Sequence, residues 1–243
     1  MIPDWIVIIL LTAGAGTCIP IGGLIATVTH IRPTWLEHEF RHFVIAFGGG
    51  LLLGAVSVVL VPQGLASMSH SALGIVIMLV GAFVFFGFER YLGLKRRESP
   101  QLMGMVLDYV PEAIALGGLV ATGSAMALLL ASLIGLQNLP EGFNSFRELQ
   151  GGGGEHGSTK KTLITMVLLV PLGPIAGLLG FYVLADYPAV LGAIMLFASG
   201  GIIYLIFQDI APQSRLEKHW APPIGAVCGF CLALFGELLV QAA

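Results

Sequence analysis

Residues 102–146 read LMGMVLDYVPEAIALGGLVATGSAMALLLASLIGLQNLPEGFNSF and carry three acids, Asp108, Glu112 and Glu141, without a single Lys, Arg or His. The stretch is two apolar runs joined at Thr122-Gly123-Ser124, each near the roughly 20 residues that cross a hydrocarbon core as a helix. The same length of apolar sequence recurs on both sides of it. Apolar runs bounded by charge, Pro/Gly or Ser clusters predict eight spans, at about 5–28, 43–61, 72–88, 102–121, 126–146, 163–185, 189–207 and 221–240. The third is the shortest.

Composition agrees with a polytopic membrane bundle. Of 243 residues, 56% are hydrophobic and 10% charged, and the mean hydropathy is +0.92. So few charges cannot coat a soluble surface of this size, which disfavours a soluble enzyme and a disordered hub. A formal net charge of -3 offers no basic face to a phosphate backbone, so no nucleic-acid partner is expected. Cys18, Cys228 and Cys231 lie in apolar runs and form no disulfide framework. The first run follows Asp4, where a signal peptide would have a basic segment, and outlasts a signal peptide's apolar core. It is read as a true span.

The basic residues sort among the seven loops. Arg32 and Arg41 fall in the first, Arg90, Lys95, Arg96 and Arg97 in the third, Arg147, Lys160 and Lys161 in the fifth, Arg215 and Lys218 in the seventh. The even-numbered loops hold none. The positive-inside rule therefore predicts cytoplasmic odd loops, both termini outside, and a lipid bilayer as the surrounding partner. The expected location is the plasma (inner) membrane.

An internal duplication is also legible. Pro20 and Gly22 recur as Pro171 and Gly173, while Phe47, Gly50, Pro62 and Gln63 recur as Phe197, Gly200, Pro212 and Gln213. Partners five spans apart cross the membrane in opposite directions. Spans 1–3 against 6–8, around a span 4–5 hairpin, would thus form an inverted repeat, a transporter architecture.

Charge inside the bilayer locates the function. Asp108 and Glu112 in span 4, Glu141 in span 5 and Asp209 at the cytoplasmic end of span 7 fall within spans or at their inner ends, and a charge at mid-bilayer is disfavoured by about 2.5–3.5 kcal/mol. Asp108 and Glu112 stack on one helical face, four residues apart, and Pro111 between them frees the carbonyl of Leu107. Span 5 repeats the design: Gln137, Asn138 and Glu141 surround Pro140, which frees the carbonyl of Leu136. Gln137, Asn138, Glu141, Asn144, Ser145 and Glu148 then form a polar stripe at steps of three and four. With no Lys or Arg in the core, a metal ion or protons must supply the missing positive charge.

Eight spans with both ends outside, the paired DYVPE and QNLPE motifs, and a seventh span reading FASGGIIYLIFQDIAPQ resemble the ZIP (Zrt/Irt-like) divalent metal transporters, in a divergent prokaryotic-type form. QNLPEG, Gln137 to Gly142, is the most specific likeness. The resemblance implies a metal site of Asp108, Glu112, Gln137, Asn138 and Glu141, possessing one or two ions, with Glu112 and Glu141 as central ligands. It places Asp209 and Gln208 on the exit route, beyond Asn144, Ser145 and Glu148. It also implies an elevator-like movement of the bundle containing spans 4 and 5, a homodimer, and transport into the cytoplasm by a permease that is not an enzyme and has no cofactor. Departures are clear: the family's span 4 begins H-N-x-P-E where this chain has Asp108 and Tyr109, span 2 ends LVPQG in place of L-x-P-E-A, Val170 stands where some members have Glu, and Arg90 to Pro100 lacks histidine.

All six His lie in loops or at span edges, so the expected ligands are oxygen only. Zinc follows from the family resemblance, manganese or iron(II) from the ligand chemistry. His38 and His42, one turn apart beside Glu37 and Glu39, read either as a metal-accepting mouth or as a solvated loop helix. Cys228-Gly-Phe-Cys231 reads as helix packing, and Gly151 to Gly154 as a flexible linker. Tyr109 reads equally as a donor to a carboxylate or as a packed aromatic. Two other functions stay open. One is a proton- or sodium-coupled carrier using the same acids without a transition metal. The other is an intramembrane protease, against which stand the missing H-E-x-x-H and the lack of a nearby Ser, Cys or His nucleophile.

Overall fold

The computed structural model describes residues 2–28, 34–68, 71–94, 100–151, 158–215 and 221–242. All regular structure among them is helical, and eight helices are long and apolar enough to span a membrane: Asp4–Val28, Glu39–Ala66, Ala72–Tyr91, Gly104–Ala121, Met126–Gln150, Thr159–Leu184, Pro188–Ser214 and Ile224–Ala242. The chain is an integral membrane protein. Spans 2, 5 and 7 form its centre, their most apolar windows being 72%, 67% and 61% buried, against 17% for spans 3 and 8. Phe83, Leu168, Phe235 and Leu238 on the outer spans are exposed, as side chains meeting lipid must be.

Spans 4 and 5 are joined by a turn built from local chemistry. Gly123 takes φ +66°, the left-handed conformation that a side chain disfavours. The Ser124 N–H then reaches the Leu119 carbonyl at 2.9 Å and the Gly123 N–H reaches that of Val120 at 3.0 Å, closing the first helix with a Schellman motif. Ser124 Oγ accepts from the Met126 N–H at 3.3 Å and starts the second.

Spans 2 and 7 run further than their apolar pattern predicts. Both pass through a proline, Pro62 and Pro212, where a helix ordinarily stops. The reason is a π turn just before each, Val56–Leu60 and Ile206–Ile210, in which the Val61 N–H bonds the Val56 carbonyl and the Ala211 N–H bonds that of Ile206. A new α segment then begins with proline in its first turn, where the absent N–H is not needed. The two devices lie 150 residues apart. Span 6 is broken in a related way, with α segments Thr159–Leu169 and Leu172–Leu179 meeting at Pro171.

Close backbone approach organises the bundle into four pairs. A methyl on Gly22 would overlap the Leu139 carbonyl, and one on Gly142 that of Ile19, joining spans 1 and 5. Gly50 meets Ala226 and Gly229 meets Phe47 across spans 2 and 8; Gly81 meets Phe197 and Gly200 meets Met78 across spans 3 and 7. Gly117 and Gly180 do the same for spans 4 and 6. In each crossing both glycines abut the carbonyl three residues before their partner, the close contact that small residues permit between membrane helices.

Candidate functional site: an interior acceptor cavity

Pro111 and Pro140 both lie inside continuous helices, so DYVPE and QNLPE stay helical and project their acids inward. Asp108 is 4% and Glu112 0% exposed. Asp108 lies within electrostatic range of both Glu141 and Glu112. The three acids nevertheless divide between two settings.

Glu112 belongs to a buried layer. The Gln137 amide donates Nε2–H to Glu112 Oε2 at 2.7 Å, and the Asn138 amide donates Nδ2–H to the Ala15 carbonyl of span 1 at 2.9 Å. Glu112 Oε1, Gln137 Oε1 and Asn138 Oδ1 have no hydrogen-bond partner. Beside this layer the Tyr109 hydroxyl donates to the Thr12 carbonyl at 2.9 Å, seated where side chains on Gly16 and Gly173 would stand. Tyr109 is thus a packed aromatic that ties span 4 to spans 1 and 6.

Asp108 and Glu141 face a cavity of about 60 Å³, room for several waters or a partly hydrated ion. Asn144, Ser145 and Asp209 share its wall, in the half of the bundle nearer the odd-numbered loops. Gly48 and Gly49 of span 2 let Pro140 and Ile210 approach closely and so shape the space. Asp108 Oδ1, both Glu141 oxygens, Asn144 Oδ1 and Ser145 Oγ are shielded and unpartnered. Among the described residues, the cavity lining contains no Lys, Arg or His. An unsatisfied buried acceptor is destabilising by about 1–3 kcal/mol, and more when charged, a cost that protons or a cation would relieve.

The remaining sequence candidates lie elsewhere. Glu148 is half-buried outside the lining, within electrostatic range of Asp209. Gln208 is exposed and off the cavity, whereas the adjacent Asp209 lines it. The His38 side chain and residues 152–157, with most of the glycine linker, lie outside the described residues; the His42 side chain is half-buried. All three cysteines are free thiols, and Cys228 and Cys231 are exposed.

Three features escaped the sequence reading. Met105 and Gln213 line the cavity. Glu89, beyond the predicted end of span 3, lies within electrostatic range of Asp209 and of the Tyr204 hydroxyl. Ser145, expected on an exit path, sits beside the acids, correcting the view that they lack a nearby hydroxyl; among the described residues the lining supplies no His or Lys to activate it. Among the described residues, no three His, Cys, Asp or Glu side chains converge into a ready-made metal-holding group. Any ion here would complete its shell with donors other than a third acid, His or Cys.

No protein-family model matches the chain, and no curated protein sequence does either.

Proposed function

We propose that the protein is a permease that carries divalent transition-metal cations across the membrane by alternating access, with the ion held between spans 4 and 5. The observation that carries this reading is the cavity, lined by Asp108, Glu141, Asn144 and Ser145 with acceptors unpaired and, among the described residues, without a basic side chain. A dication supplies the charge and the coordination that these oxygens lack. The QNLPEG motif, so similar to that of ZIP transporters, supports the same conclusion, with zinc favoured by that likeness and manganese or iron(II) by oxygen donors.

The cavity lies toward the basic loops, so under the positive-inside assignment it is a cytoplasmic-facing pocket, sealed from the other side by the Glu112–Gln137 layer. Transport into the cytoplasm then requires this layer to open outward and admit an ion to Glu112. The π turns 150 residues apart support descent from an inverted repeat, the architecture that supplies two such states. The plasma (inner) membrane is the location that fits this role.

One observation favours a second reading, a proton-coupled carrier. Glu89 and Glu148 both lie within electrostatic range of Asp209, and carboxyl groups gathered this closely share protons. Proteoliposome uptake of zinc, manganese and iron(II) by wild type and Glu141→Ala decides between them. Metal uptake that is lost in the variant is expected. Proton flux without binding of any of these metals would overturn the metal assignment in favour of the second reading.

A further inference from the structure

Met105 lies one turn before Asp108 on span 4, is 2% exposed, and lines the same cavity. Residues three apart share a helical face, so a thioether and a carboxylate look onto one space. Opposite them are the unpartnered oxygens of Glu141 and Ser145. The site's chemistry is therefore not purely that of oxygen. Carboxylates accept hard and borderline cations alike, whereas a thioether binds soft ones and leaves Mn2+ or Mg2+ to the oxygens. Methionine's three rotatable bonds allow its sulfur to reach an ion or withdraw into the wall.

We infer that Met105 is the selectivity-determining residue of the cavity, adding a sulfur donor to Asp108 and Glu141 and so favouring soft and borderline dications, Cd2+ foremost, over Mn2+. The inference rests on the proposal that this cavity receives a dication. Leucine has nearly the volume of methionine and no donor, so Met105→Leu removes the sulfur with little change in packing.

The test uses the full chain in proteoliposomes with Cd2+ and Mn2+ in competition. Met105→Leu is expected to lower the Cd2+ to Mn2+ uptake ratio by about tenfold, the lower end of what losing a supporting group costs a metal site. A ratio equal to that of wild type overturns the role of Met105. Cadmium NMR of the ion bound to wild-type protein needs no substitution: a resonance downfield of all-oxygen sites is expected, and one within the all-oxygen range overturns the inference. Failure of wild type to bind or carry either ion is a separate outcome, which overturns the dication reading itself.

Discussion

Tyr109 and Asp108 are chain neighbours with opposite duties. The carboxylate faces the cavity, while the phenol fills space vacated at Gly16 and Gly173 and bonds the Thr12 carbonyl. Tyr109→Phe keeps the ring and loses one buried hydrogen bond, an expected destabilisation of about 1 kcal/mol. Tyr109→Ala also leaves a cavity and should cost about 3–5 kcal/mol. Thermal unfolding in detergent measures both; equal melting of the two variants would contradict the packing role. Asp108 and Glu141 were legible from sequence because a charge in oil is conspicuous. Met105 was not, since a methionine at helical spacing looks like any core residue until its neighbours are known. Glu89 was hidden by Arg90, which made the pair look like a loop beginning.

At the level of helices, the eight apolar runs were readable and their ends were not. Pro62 and Pro212 are stop signals by local propensity, yet a π turn ahead of each lets the helix restart, and nothing in composition marks a π turn. The glycine crossings were equally invisible as contacts, because 33 glycines in the chain do not declare which meet a neighbouring carbonyl. They make a contrast that can be measured. A methyl at Gly200 would collide with the Met78 backbone, which can yield only if spans 3 and 7 separate; at Gly87 a methyl meets nothing within 4 Å. Gly200→Ala should sharply reduce the yield of folded protein. Gly87→Ala should be neutral or stabilising, by up to about 1 kcal/mol from helix propensity. Similar yields and melting points for the two would show that this crossing does not hold the spans together.

For the whole molecule, the side that the cavity faces decides which step of the proposed transport cycle this conformation represents. Asp108, Asn144 and Asp209 lie toward the odd-numbered loops, to which the sequence assigns all 11 Lys and Arg; Arg41, Arg90, Arg147, Lys160 and Lys161 lie near the odd-loop ends of the adjoining helices. If those loops are cytoplasmic, the described conformation is open inward and the Glu112–Gln137 layer is its outer seal. The assignment is testable without knowing the ion. In a background with Cys18, Cys228 and Cys231 replaced by alanine, Ser124→Cys should react with a membrane-impermeant maleimide in intact cells, since it stands in the turn between spans 4 and 5. Lys160→Cys, at the start of span 6, should react only after the cells are opened. The reverse pattern would turn the cavity outward and make Glu112–Gln137 the inner seal. The same residues would then describe a protein waiting for its ion from outside, so that Glu112 would become the last carboxylate the ion meets.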